Sequence, residues 1–217
     1  LACRRGGVKA VGIDAHNASM TLRGGLELSA FVRGVTVSDG LLYAAGDSKG
    51  LFVIDIADDA APSLLARVPV AEGCMGRLRV HRGYAFAAGG EMLVGVFDLS
   101  DPRRPRWLGG ETSRGRMSPF FGSYAHDLWV GDGREGALAA VADAEGGIVM
   151  ADLRMPGTPR FMGAVMGGGL GGAFVATGIA ADGPHAYLVD QSFGLRVIDI
   201  SDPAHPRIVG TGLKMTP

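Results

Sequence analysis

The stretch Gly194-Leu195-Arg196-Val197-Ile198-Asp199-Ile200-Ser201-Asp202-Pro203 decides the fold, because the chain keeps returning to it. It recurs as Gly50-Leu51-Phe52-Val53-Ile54-Asp55-Ile56-Ala57 and as Leu93-Val94-Gly95-Val96-Phe97-Asp98-Leu99-Ser100-Asp101-Pro102. A more altered copy is Gly147-Ile148-Val149-Met150-Ala151-Asp152-Leu153. The repeated acid sets the period: Asp55 to Asp98 is 43 residues, Asp98 to Asp152 is 54, and Asp152 to Asp199 is 47. A period in the forties with strand-like punctuation marks a propeller blade or a solenoid.

Working outward from the last copy, four short apolar runs make one unit. They are Gly178-Ile179-Ala180, Ala186-Tyr187-Leu188-Val189, Leu195 through Ile200, and Arg207-Ile208-Val209-Gly210. Asp182-Gly183 is a hairpin-type dipeptide, as are Asp39-Gly40 and Asp132-Gly133, with Arg82-Gly83 in the remaining unit. Pro203 and Pro206 fall between runs, where a missing N–H and a fixed φ do no harm to a ladder. Four antiparallel strands per unit predict an all-β chain folded as a β-propeller of four-stranded antiparallel blades.

The units run about 31–72, 73–121, 122–174 and 175–217, after a tail at 1–6 and a half unit at 7–30. In the half unit Gly12 stands where the others carry the repeated Asp, 43 residues before Asp55. Four full repeats and a half permit either a five-bladed ring closed by the C-terminal tail or a fragment of a larger ring. The opening at Leu1 without an initiator Met adds to the expectation of a fragment or a processed form.

Composition narrows the class. The 217 residues hold 21 Lys plus Arg against 22 Asp plus Glu, so the chain lacks the electrostatic footprint of a nucleic-acid binder. Glycine, at 36 residues, suits many tight turns rather than long helices. No uninterrupted apolar run is long enough for a transmembrane helix. Cys3 and Cys74 are too few to define a disulfide scaffold. Leu1-Ala2-Cys3 is similar to the end of a bacterial lipoprotein signal, in which Cys3 would carry the lipid.

The units resemble the LVIVD-repeat family of bacterial and archaeal proteins. The residues that carry the likeness are Ala186 through Asp190 with Gly194 through Pro203, and Tyr43-Ala44-Ala45-Gly46-Asp47 with Gly50 through Ile56. The unit around Asp98 has Met92-Leu93 in place of Gly-Leu. The resemblance implies a β-propeller, often exported or attached to the cell surface, with no catalytic motif to carry over. An extracytoplasmic location is therefore the expectation.

Candidate chemistry must lie where the units differ. The repeated acids Asp55, Asp98, Asp152 and Asp199 are explained by the fold itself. The first strand of a propeller blade lines the central channel, and its opening positions hold Gly34, Arg77, Asp127 and Thr177, preceded by Arg33, Gly76, His126 and Ala176. Arg33, Arg77, His126 and Asp127 are thus the candidate binding residues at the channel mouth, suited to an anionic or polar ligand through charge-assisted hydrogen bonds. Two inserts between units, at 110–123 and 163–174, break the period. In the first, Arg114, Arg116, Phe120 and Phe121 are candidate partner contacts, since aromatic and Arg side chains anchor interfaces.

No catalytic residue, metal site or cofactor is expected. The histidines lack zinc spacing, no serine sits in a nucleophile elbow, and Gly167 through Gly172 is not a phosphate loop. The sequence points to a binding or scaffold propeller without catalysis, with a protein or glycan as partner. A hydrolase or lyase sited at the same mouth is the alternative.

Overall fold

A computed structural model of the chain describes residues 1–3, 6–70, 75–90, 92–112, 125–143, 147–165, 176–191 and 194–211. Among them there is no helix, and the strands form five antiparallel sheets. The first sheet has three strands, β1 (Ala2–Cys3), β2 (Gly7–Asp14) and β3 (Ser19–Leu26). The second is β4 (Gly34–Ser38), β5 (Leu41–Ala45), β6 (Leu51–Asp55) and β7 (Ser63–Val68), and the third β8 (Arg77–His81), β9 (Tyr84–Gly89), β10 (Met92–Asp98) and β11 (Arg106–Thr112). The fourth is β12 (Ala125–Gly133), β13 (Gly136–Asp143), β14 (Gly147–Asp152) and β15 (Arg160–Val165), and the fifth β16 (Ala176–Asp182), β17 (His185–Asp190), β18 (Gly194–Asp199) and β19 (Arg207–Thr211). In the last four sheets the strands lie in chain order, and their first strands neighbour one another in the series β4, β8, β12, β16. This is the meander architecture of a β-propeller, as the repeat predicts.

Alternation of side chains along each strand gives the second, third and fourth sheets two buried faces. In the second sheet Tyr43, Ala45, Leu51 and Val53 face forward, packing on Leu78, Ala85 and Ala87 of the third. Ala44, Phe52 and Ile54 face backward, onto Val8 of the first sheet with Leu28 and Val32. The third sheet turns Phe86, Ala88, Val94 and Val96 onto Leu128 and Ala139 of the fourth. The fourth turns Ala140, Ala142, Ile148 and Met150 onto Ile179 and Leu188 of the fifth. The middle strands of these three sheets are small-and-large apolar runs because they are covered on both sides.

A register shift falls at one place in all five sheets, one step before the repeated acid: Ala10/Val11, Val53/Ile54, Val96/Phe97, Met150/Ala151 and Val197/Ile198. That recurring bulge sets Gly12 level with Asp55, as their spacing predicts. In the first sheet, Ala2 and Cys3 pair with Val8 and Gly7, so that part of the N-terminal segment belongs to the sheet.

The repeated acid ends the third strand. Asp55, Asp98, Asp152 and Asp199 each accept, through Oδ1, the backbone N–H two residues on, at 2.8–2.9 Å. An Asx turn of this kind fixes the exit of the chain from the strand. Arg106 and Arg207, eight residues beyond Asp98 and Asp199, bind their second oxygens. In the fourth sheet Arg154 takes that role, at 2.7 Å from Asp152 Oδ2.

Two local readings are corrected. Asp132-Gly133 is not a turn: both lie in β12, paired with Ala137 and Gly136, and the loop is Arg134-Glu135. This hairpin runs further than its counterparts before it turns. The glycine step that opens the third strand uses positive φ at Gly50, just before β6, and at Gly147 and Gly194, the first residues of β14 and β18. In the third sheet Leu93, and not Met92 as the repeat alignment predicts, takes the place of that glycine, and its side chain disfavours the conformation. Its strand instead carries an extra register shift between Met92 and Val94.

Two outcomes follow. Gly50 has φ +89°, and a Cβ there would lie 2.0 Å from the Val68 carbonyl oxygen; Gly50→Ala should therefore cost about 2–3 kcal/mol in urea unfolding. The Asp98 carboxyl is held below the usual carboxylate range, first by the Ser100 N–H and then by Arg106, and Asp199 likewise by the Ser201 hydroxyl, the Ser201 N–H and Arg207. A carboxyl depressed on folding adds stability above its unfolded pKa of about 4, and that stability is lost as pH falls through the folded value. Urea midpoints measured against pH should stay flat above about pH 5 and fall below about pH 4. The acid fall should shrink in the Asp98→Asn, Asp199→Asn double variant.

Candidate functional site

At the end of the sheets where the first strands begin, backbone bridges tie neighbouring sheets together. Asp47 bridges to Met75, and Gly90 to Ala125, with the Ala125 N–H donating to the Gly90 carbonyl at 3.0 Å. Glycine permits the approach: a Cβ on Gly34 would lie 2.5 Å from the Gly76 carbonyl oxygen. The mouth is therefore built on closely tied backbone.

Arg33, Arg77 and His126 converge there. With Ala2, Phe31 and Gly90 they help to line a hollow of about 320 Å³. The fourth predicted residue, Asp127, lies beneath them, with Oδ1 3.8 Å from Arg77 Nε. The closer cation is Arg79, whose Nη2 donates to the same oxygen at 3.3 Å. The Leu128 N–H also donates to Oδ1 at 3.0 Å, and the Ile179 N–H of β16 to Oδ2 at 3.2 Å. Asp127 thus braces three first strands, β8, β12 and β16, as well as setting the charge of the mouth.

His126 owes its position to a bulge. The pairing of β12 jumps from Ala125 with Asp143 to Asp127 with Ala142, leaving His126 as the extra residue, exposed at the rim. Bulges re-aim side chains in this way and are frequent beside binding sites. The fifth sheet has the same shift between Ala176 and Gly178. The residue level with Gly34, Arg77 and Asp127 is therefore Gly178, and not Thr177 as the unit alignment predicts.

Sequence reasoning missed two members. Arg79 lies two residues from Arg77 on one strand, hence on the same face, and that spacing was the available signal. Asp47 is the other: Arg33 Nε comes within 3.4 Å of its Oδ1, yet without hydrogen-bond geometry, and that oxygen is buried with no hydrogen-bond partner. The Arg33 guanidinium also stacks 5.2 Å over the Phe31 ring. Asp47 lines a neighbouring hollow of about 340 Å³, which shares Phe31 with the first. The mouth therefore sets Arg cations beside a partly exposed Asp47 carboxylate, suited to a ligand carrying both an anion and hydroxyl donors. Arg114, Arg116, Phe120 and Phe121 lie outside the described residues. Among the described residues no three His, Cys, Asp or Glu side chains cluster as metal ligands.

The series of four-stranded antiparallel meanders defines the class: a β-propeller. The LVIVD repeat matches residues 31–70 and 175–212, the second and fifth units, so the chain carries LVIVD repeats. Among solved structures it is similar to the periplasmic gluconolactonase of Pseudomonas aeruginosa, at TM-score 0.70 and 16% identity over 93% of this chain and 62% of that one. It is similar also to the β-propeller domain of Myceliophteria thermophila Cps50 (Swd1), at TM-score 0.61 and 12% identity over 93% and 62%, and to the computationally designed Ika8 protein, at TM-score 0.60 and 12% over 84% and 50%. The chain thus spans between half and 62% of the length of these three. No curated protein matches the sequence. Among the described residues no helix is long and apolar enough to cross a membrane.

Removing the Asp127 carboxylate leaves the Ile179 and Leu128 N–H groups and Arg79 without their acceptor. Asp127→Ala should cost about 1–3 kcal/mol in urea unfolding. Arg77→Ala, on an exposed side chain 3.8 Å away, should change stability by less than about 0.5 kcal/mol.

Proposed function

We propose that this protein is a non-enzymatic binding propeller, placed outside the cytoplasm, that holds an acidic glycan at its channel mouth. The observation that supports it most is the meeting of Arg33, Arg77 and His126 around one hollow, from three separate stretches of chain. The two arginines recognise a carboxylate through charge-assisted hydrogen bonds. The Asp47 carboxylate, partly exposed where it lines the adjoining hollow, accepts from a sugar hydroxyl. Phe31 supplies an apolar face beside them. The insert carrying Arg114, Arg116, Phe120 and Phe121 adds a contact surface for the same partner or for the protein that bears it.

A hydrolase is the second reading, since a gluconolactonase shares the fold. Against it stands the bonding of Asp127, whose two oxygens already take one Arg and two backbone donors. A carboxylate so engaged is a brace rather than a free base.

Calorimetry with an oligogalacturonide and with a neutral maltooligosaccharide tests the proposal. The acidic chain should bind and the neutral one should not, and the Arg33→Ala, Arg77→Ala double variant should weaken binding at least tenfold. Equal binding of both sugars, or a double variant that binds as well as the parent, would overturn it. Turnover of glucono-δ-lactone that is lost in His126→Ala would favour the hydrolase.

A further inference from the structure

The forward face of the fifth sheet is built like the buried faces before it and lies open. By pairing register, Tyr187, Val189, Leu195 and Val197 occupy the places of Tyr43, Ala45, Leu51 and Val53 in the second sheet. The same places in the third and fourth sheets are Phe86, Ala88, Val94 and Val96, and Ala140, Ala142, Ile148 and Met150. Those twelve earlier side chains are at most 2% exposed, whereas Tyr187, Val189 and Leu195 are 39–44% exposed. Val209 is exposed as well, although its counterparts Leu65, Leu108 and Met162 pack into the blade junctions. At the other end of the arc the first sheet leaves Leu1, Ile13, Met20 and Leu22 exposed. No described cluster joins the fifth sheet to the first.

Scattered single apolar residues on a surface need no explanation, but a contiguous face that repeats three buried ones does. We propose that both end faces are blade junctions, and that their occupant is a further set of LVIVD-type blades that completes the ring. The chemistry of the occupant follows from the existing junctions. It must offer the fifth sheet a backward face like that of Leu42, Ala44, Phe52 and Ile54, which cover the first sheet in this chain. Its size follows from the arc. Because 93% of this chain covers 62% of the gluconolactonase propeller, that ring runs on by about half this chain again. That is room for roughly two or three units of the forties period. A second copy of this chain, with five sheets, would overfill that gap.

The test uses residues 1–217 and the same chain extended at its end by three copies of its own unit 31–72. The 217-residue chain should sediment as a monomer and bind anilinonaphthalene sulfonate. Leu195→Asp should lower that dye binding at least threefold without lowering Tm. The extended chain should bind at least threefold less dye, and its β17 and β18 amides should exchange at least tenfold more slowly. A dimer of the 217-residue chain that Leu195→Asp dissociates would overturn the proposal in favour of a second copy. Dye-free, fully protected β17 and β18 in the 217-residue chain would overturn it in favour of closure of the arc upon itself. An extended chain that folds without gaining protection would overturn it too.

Discussion

The burial of one sheet's forward face beneath the next sheet is the interaction on which everything else here depends. Each such face carries four apolar side chains, and burying a Val, Leu, Ile or Phe side chain is worth roughly 1.5–3 kcal/mol. Exposed ion pairs, by contrast, are worth about 0–1 kcal/mol each. The arginine pairs along the rims, such as Arg207 with Asp199, therefore trim the edges of a structure held by face-to-face packing. Because each sheet touches only its neighbours, the unit can repeat without long-range information, and the same four positions recur in every copy.

Polar groups do a different task in this architecture: they fix where each strand stops and how the next begins. The repeated Asp caps the third strand by accepting, through its side-chain Oδ1, the backbone N–H two residues on, which is why one residue type can persist at Asp55, Asp98, Asp152 and Asp199 while the side chains around it vary. Asp127 extends that use of carboxylates from one sheet to three. It also shows how a scaffold becomes a site. The residue level with it is glycine in the second and fifth sheets and arginine in the third, and this difference gives the mouth its charge.

Much of this was legible in the sequence, for physical reasons that single residues make plain. The 43-residue step from Gly12 to Asp55 could be read because the bulge before the acid, at Ala10/Val11 and at Val53/Ile54, is part of the repeat. The convergence of Arg33, Arg77 and His126 could be read because strand starts in a propeller meet at one end of the channel. What could not be read were single-residue shifts. The bulges at His126 and Thr177 add one residue each, and neither residue type announces a bulge. The Asp132-Gly133 pair looked like a turn because its dipeptide chemistry is that of one, and only the pairing of Gly133 with Gly136 moves the loop two residues on. Asp47 was hidden for another reason: its approach to Arg33 depends on how two consecutive segments cross, which no local pattern records.

A mouth tied together by backbone bridges, and charged by residues outside the repeat, lets binding chemistry vary while the packing beneath it stays fixed. That separation rests on consecutive sheets lying face to face. Methyl–methyl nuclear Overhauser spectroscopy on the 217-residue chain measures it most directly. Cross-peaks should join the methyl groups of Leu51 and Val53 to those of Leu78, of Val94 and Val96 to Leu128, and of Ile148 and Met150 to Leu188. Their absence, with contacts confined inside each unit, would contradict the account.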